Sequence, residues 1–144
     1  MRFLKSLAVA GLMIVGAAVQ AFAMPVPVLH FDGTENYTIG AEHWVRYKLS
    51  VVNRASYPAS LFVASPRLPP CGANPNASRT WVDVFDGSSP YPRIYGFCAF
   101  SSSDDLGHLW FAVKANFNPP RLVFIKITDR LKHEVRASNR VATH

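Results

Sequence analysis

From residue 44 onward, apolar and polar residues alternate with a period of two, and Pro- or Gly-bearing segments interrupt the alternation roughly every 8 to 15 residues. In 44–51, WVRYKLSV, one face collects Val45, Tyr47, Leu49 and Val51 and the other Arg46, Lys48 and Ser50. Successive strand side chains point to opposite faces, so this is a strand with one buried and one wet side. Segments 60–64, 80–85, 93–100, 108–114 and 122–129 read as further strands, and 135–141 returns as a partner of the last. The separators are 53–57 ahead of Pro58, PRLPPCGANPNAS (66–78), DGSSPYP (86–92), SSSDDLG (101–107) and NFNPP (116–120). Each is rich in residues that adopt turn geometry at little cost. The expected fold is therefore all-β: an immunoglobulin-like antiparallel β-sandwich of about seven strands.

The chain's ending sharpens that expectation. Val123, Ile125 and Ile127 alternate with Phe124, Lys126 and Thr128 after Pro120, and Ser138-Asn139-Arg140-Val141 closes the following segment. A proline before one strand and an SN-x-V segment in the next resemble the final two strands of fibronectin type III and related immunoglobulin-like domains. The resemblance covers about the last 25 residues. Two features depart from it: Trp44 stands at a strand's edge, and the Cys71–Cys98 spacing matches neither family. The central LPPCGANPNASRTWVDV, YGFCAF and LWFAV resemble small exported bacterial proteins of unknown function.

Residues 1–23 have a different pattern. Arg2 and Lys5 precede thirteen apolar or glycine residues, Leu7 to Val19, and Ala21-Phe22-Ala23 follows. A basic start, a short apolar run and small residues at a cleavage position describe a secretory signal peptide, too short for the roughly 20 residues of a membrane-spanning helix. Cleavage after Ala23 is expected to leave 24–144 as a single soluble domain with no membrane span, secreted or periplasmic. Losing Arg2 and Lys5 takes the 15 basic side chains to 13 against 9 acidic ones, and the net charge from +6 to +4. The excess lies late, in Arg121, Lys126, Arg130, Lys132, Arg136 and Arg140 against Asp129 and Glu134. Such a field attracts anionic partners, or simply solvates terminal strands. No nucleic-acid-binding motif is present, and nucleic acid is not an expected partner.

In an exporting chain the two cysteines, Cys71 and Cys98, are expected to form one intramolecular disulfide. That bridge would pin the irregular Pro69–Ser78 loop against a strand. Beside the loop stand Arg79 and Trp81, and near the next turn Tyr91 and Arg93, residue types enriched at interfaces. The competing expectation buries Trp81 in the core and pairs Arg79 with Asp83 or Asp86. Trp110 and Phe111 are adjacent in a strand and face opposite ways, so Trp110 either offers a stacking surface or lies under a loop.

Catalytic chemistry finds little support. Asp83 with Asp86 and Asp104 with Asp105 sit in or beside turns, where aspartates cap backbone amides, and DVFDGSS lacks calcium-loop spacing. His30, Asp32, Glu35, Glu42 and His43 match no zinc motif, and there is neither a G-x-S-x-G elbow nor a phosphate-binding glycine loop. The expectation is an exported, non-enzymatic binding module without cofactor or metal, whose partner is an envelope or extracellular protein or glycan. One alternative is a small periplasmic or secreted inhibitor that plugs a hydrolase with the Cys71 loop; another is a carboxylate-dependent hydrolase. Oligomeric state is not encoded in any of these patterns.

Overall fold

A computed structural model describes residues 23–64, 67–71 and 78–144. The leader assigned to 1–23 lies, Ala23 apart, outside the described residues, as does 72–77 of the Cys71 loop. Among the described residues eight strands form: β1 (Leu29–Ile39), β2 (Glu42–Val51), β3 (Thr80–Asp86), β4 (Arg93–Phe97), β5 (Leu109–Lys114), β6 (Leu122–Asp129), β7 (Glu134–Ala137) and β8 (Val141–Ala142). They make two antiparallel sheets, a three-stranded one in the order β1-β2-β5 and a five-stranded one in the order β4-β3-β6-β7, with β8 also paired to β6. Among the described residues no helix is long and apolar enough to cross a membrane.

The period-two pattern explains how the sheets meet. Tyr47, Leu49 and Val51 of β2, Leu109 and Phe111 of β5, Val82 and Val84 of β3, and Val123, Ile125 and Ile127 of β6 join one buried cluster. Tyr47 and Phe111 stack with ring centroids 4.9 Å apart. Their polar neighbours along each strand are left on the outer faces, where the candidate site lies.

Four segments depart from the expectation. Residues 60–64 are not a strand: Ala59–Phe62 is a 3₁₀ turn whose adjacent Leu61 and Phe62 are both buried. Two neighbouring side chains can enter one core from a turn but not from a strand. The turn is fixed by the Leu61 amide donating to the Pro58 carbonyl (3.1 Å) and the Thr80 hydroxyl donating to the Leu61 carbonyl (2.6 Å). The strand expected over 93–100 stops at Phe97.

The single strand expected over 135–141 is two, β7 and β8. Between them Asn139 leaves the ladder and pairs with Leu29, its Oδ1 accepting from the Leu29 amide (2.8 Å) and its Nδ2 donating to the Leu29 carbonyl (3.1 Å). The longest strand, β1, was not expected at all: its HFDGTEN stretch carries turn residues. A bulge at Asp32 absorbs them, with Gly33 at φ 107°, open to glycine and closed to most residues.

Candidate functional site

The outer face of the five-stranded sheet is built by the odd-numbered residues of β3 and the even-numbered residues of β6. Trp81 stands opposite Thr128, Asp83 opposite Lys126 and Phe85 opposite Phe124. Phe85 and Phe124 stack at 5.2 Å, and Tyr91, carried in from the β3–β4 connection with a left-handed φ of 59°, meets the Phe124 ring edge-on at 6.2 Å. Phe124 is therefore buried although it points away from the core.

Cations are laid over these rings. The Arg130 guanidinium lies 3.7 Å above Trp81, the Lys126 ammonium 5.0 Å from Phe85, and the Arg140 guanidinium 5.2 Å from Tyr91 and 5.6 Å from Phe124. Each such contact is worth roughly 0.5 to 1 kcal/mol on a wet surface. More important here, it orders a long side chain and fixes where its charge is presented. Among the described residues Lys126, Arg130 and Arg140 have no carboxylate partner, whereas Arg93 is paired with Asp83 at 2.6 Å. That pair lies across Gly96, where a Cβ would collide with the Arg93 guanidinium. Asp86, the other carboxylate nearby, is occupied by the Ser88 amide at 2.9 Å.

Three of the five candidates, Trp81, Tyr91 and Arg93, belong to this face; Arg79 and Trp110 do not. Arg79 pairs with neither Asp83 nor Asp86 but with Asp129, Nε to Oδ1 and Nη2 to Oδ2, both at 2.7 Å. Asp129 is 2 % exposed. Burial works against its ionisation, yet the Arg79 hydrogen bond and the amides of Lys132 and Leu131 outweigh it, holding the carboxyl below its ordinary range. This fork fastens the end of β6 to the approach to β3.

Among the described residues, Trp110 is covered by strand side chains and a guanidinium. Tyr95 of β4 packs on it at 4.9 Å, Phe97 at 6.1 Å, and Arg46 sits 5.0 Å over the ring. It walls a concavity of about 310 Å³ with Asp32, Glu35, Arg46, Lys48 and His108. Asp32 there accepts from His30 Nδ1 (2.7 Å) and the Ser50 hydroxyl (3.0 Å), and Glu35 lies 3.5 Å from Arg46. These carboxylates are engaged in holding the β1 bulge and the hairpin.

Cys71 and Cys98 are bridged, with Cα atoms 5.6 Å apart. The loop that the inhibitor reading depends on falls at 72–77, outside the described residues. Of the paired aspartates, Asp105 accepts from the amides of Ser101 (2.7 Å) and Ser102 (3.3 Å), and the Ser101 amide leads in holding its carboxyl low. Sequence reasoning missed Phe85, Phe124, Lys126, Arg130 and Arg140 as one surface. The signal was an aromatic two residues before a cation in β6, visible only once β3 is known to lie beside it. No family model, no curated protein and no solved structure matches this chain.

Proposed function

We propose that the chain is an exported, non-catalytic binding module that holds an acidic glycan of the cell envelope or extracellular space on the outer face of its five-stranded sheet. The observation that carries this reading is the placement of Lys126, Arg130 and Arg140 over the rings of Phe85, Trp81, Phe124 and Tyr91, without carboxylate partners among the described residues. Ring and methylene packing holds the charges in place before a ligand arrives, which reduces the ordering entropy of binding. From Phe124 to Arg130 the extended chain advances about 20 Å, so the charges form a row, a match for a linear polyanion more than for a single small anion. The aromatic faces themselves are occupied, which favours charge recognition over stacking on a neutral sugar. Export is supported by the leader pattern of 1–23 and by the oxidised cysteine pair.

The test is retention of the processed protein on immobilised polygalacturonate and on neutral dextran. Binding to the polyuronate alone is expected, weakening steeply between 50 and 300 mM salt, on the order of the Debye screening of a surface site. In a Lys126→Gln, Arg130→Gln, Arg140→Gln variant that retention is expected to vanish while the fold persists. Equal retention by the variant, or by dextran, would remove the proposal.

A further inference from the structure

The first residues after the leader junction are held with unusual completeness. Met24 is 3 % exposed although only Ala23, which is exposed, precedes it among the described residues. Its amide nitrogen donates to Glu134 Oε1 at 3.1 Å, and its carbonyl accepts from Arg136 Nε at 3.2 Å. The Pro25 carbonyl accepts from the Tyr57 hydroxyl at 2.7 Å, and the Val26 carbonyl from Asn53 Nδ2 at 2.9 Å. Asn53 Oδ1 accepts from the Val28 amide at 2.9 Å, and Leu29 then enters β1. A cavity of about 300 Å³ adjoins Met24, lined also by Leu61, Arg79, Asp129, Lys132 and Glu134.

We infer that this is a socket for a newly made amino terminus: proteolytic cleavage between Ala23 and Met24 delivers the Met24 α-ammonium to the Glu134 carboxylate and locks the processed chain. The inference rests on the signal-peptide reading, which already places cleavage after Ala23, and adds a role for the group that cleavage creates. Hydrolysis of the Ala23–Met24 peptide bond consumes one water, leaves a carboxylate on Ala23 and an amine on Met24, and that amine takes up a proton. A neutral amide with one N–H becomes a cation with three, at a nitrogen already within hydrogen-bond distance of a carboxylate; charge-assisted hydrogen bonds are roughly twice as strong as neutral ones. Ala23 is exposed, so an unprocessed chain is not excluded by shape. The difference between the two forms is electrostatic.

The groups that face the amine are Glu134 and Arg136 of β7, Lys132 of the preceding turn, Asp129 at the end of β6, Arg79 before β3, and Tyr57. Glu134 is shared with Arg136, whose Nη2 lies 2.8 Å from the same Oε1. Burial pushes the Tyr57 hydroxyl upward, away from the relevant range. An α-amine titrates near 8 in an unfolded chain. On this proposal the Glu134 contact outweighs burial and the neighbouring Arg136 and Lys132 cations and raises that value in the folded state, so the stability it confers is fully present below about pH 7.5 and is lost as pH rises through the raised value.

The experiment begins with the full chain directed through a secretion pathway and the amino-terminal sequence of the product. Met-Pro-Val-Pro is expected; a product that keeps 1–23 overturns both the export reading and the socket, and one starting elsewhere overturns the socket alone. The midpoint of thermal unfolding is then followed from pH 6.5 to 9.5 for the processed protein and its Glu134→Gln variant, a range chosen to bracket the amine at about 8. A fall across that range in the first, flattened in the second, is expected; parallel curves overturn the socket while export stands. Should Glu134→Gln not fold, NMR titration of the α-amine in the unaltered protein decides: a value above that of a free amine supports the socket, and an ordinary one removes it.

Discussion

Arg79 and Arg93 show how little residue type alone says about role. Both are arginines at the start of a strand or just before it and both pair with an aspartate, but Arg79 closes a fork on Asp129, which is 2 % exposed, while Arg93 stays 61 % exposed over Asp83. Breaking a buried pair strands a charge, at about 3 to 5 kcal/mol, whereas an exposed pair contributes at most about 1 kcal/mol. Urea unfolding is therefore expected to show a loss of that larger size for Arg79→Leu and under about 1 kcal/mol for Arg93→Leu; similar losses would contradict the assignment. Because the Asp129 carboxyl is held low, its contribution is complete above the unfolded value near 4 and is lost as pH falls through the lower folded value. Asp129→Asn is expected to remove that share of the acid sensitivity, read as a flatter curve of stability against pH below about 4. Sequence alone offered Arg79 two nearby acids, Asp83 and Asp86, and no reason to choose the one fifty residues away.

At the level of elements, legibility followed the hydrophobic period. Where Val45-Tyr47-Leu49-Val51 or Val123-Ile125-Ile127 repeats every second residue toward one core, strands β2 and β6 stand where the pattern puts them. Where polar residues perform a tertiary task, the pattern misleads: Asp32-Gly33 reads as a turn and is a bulge inside β1, and Asn139 reads as strand and is a clasp on Leu29. Leu61-Phe62 has strand composition, yet both side chains are needed inside. Gly87, in the DGSSPYP separator between β3 and β4, makes a close approach: its amide donates to the Leu122 carbonyl at 2.7 Å, and a Cβ there would lie 2.8 Å from that of Leu122. Gly87→Ala must part the β3–β4 connection from the start of β6 and is expected to lower stability by about 1 to 3 kcal/mol. Denaturant midpoints check this, and a neutral substitution would show that the contact yields freely.

For the molecule as a whole, the two-sheet sandwich and the Cys71–Cys98 bridge were legible because the strand alternation and an even pair of cysteines behind a leader-like pattern each carry a direct chemical expectation. The proposed binding face was only half legible: Trp81, Tyr91 and Arg93 lie near one another in sequence, while Lys126, Arg130 and Arg140 join them only through the β3–β6 register. The bridge closes a loop with a sequence separation of 27, for which chain entropy gives about 3 to 4 kcal/mol. Cys71→Ser with Cys98→Ser is expected to lose that much in unfolding free energy yet keep Lys126 and Arg140 over their rings; Arg130, whose Nη2 donates to the Pro69 carbonyl at 3.2 Å, is the cation of the face held by the bridged loop. Loss of polyuronate binding in a folded double variant would place the site at the Cys71 loop instead.

The most direct test of the central claim is an NMR titration of the processed, oxidised protein with a short polygalacturonate oligomer. Shifts are expected to concentrate on the indole of Trp81, on Tyr91 and Phe124, and on the side chains of Lys126, Arg130 and Arg140, and to collapse when salt is raised. Shifts centred on Trp110 and the Asp32–Arg46 concavity, or none at saturating oligomer, would contradict it.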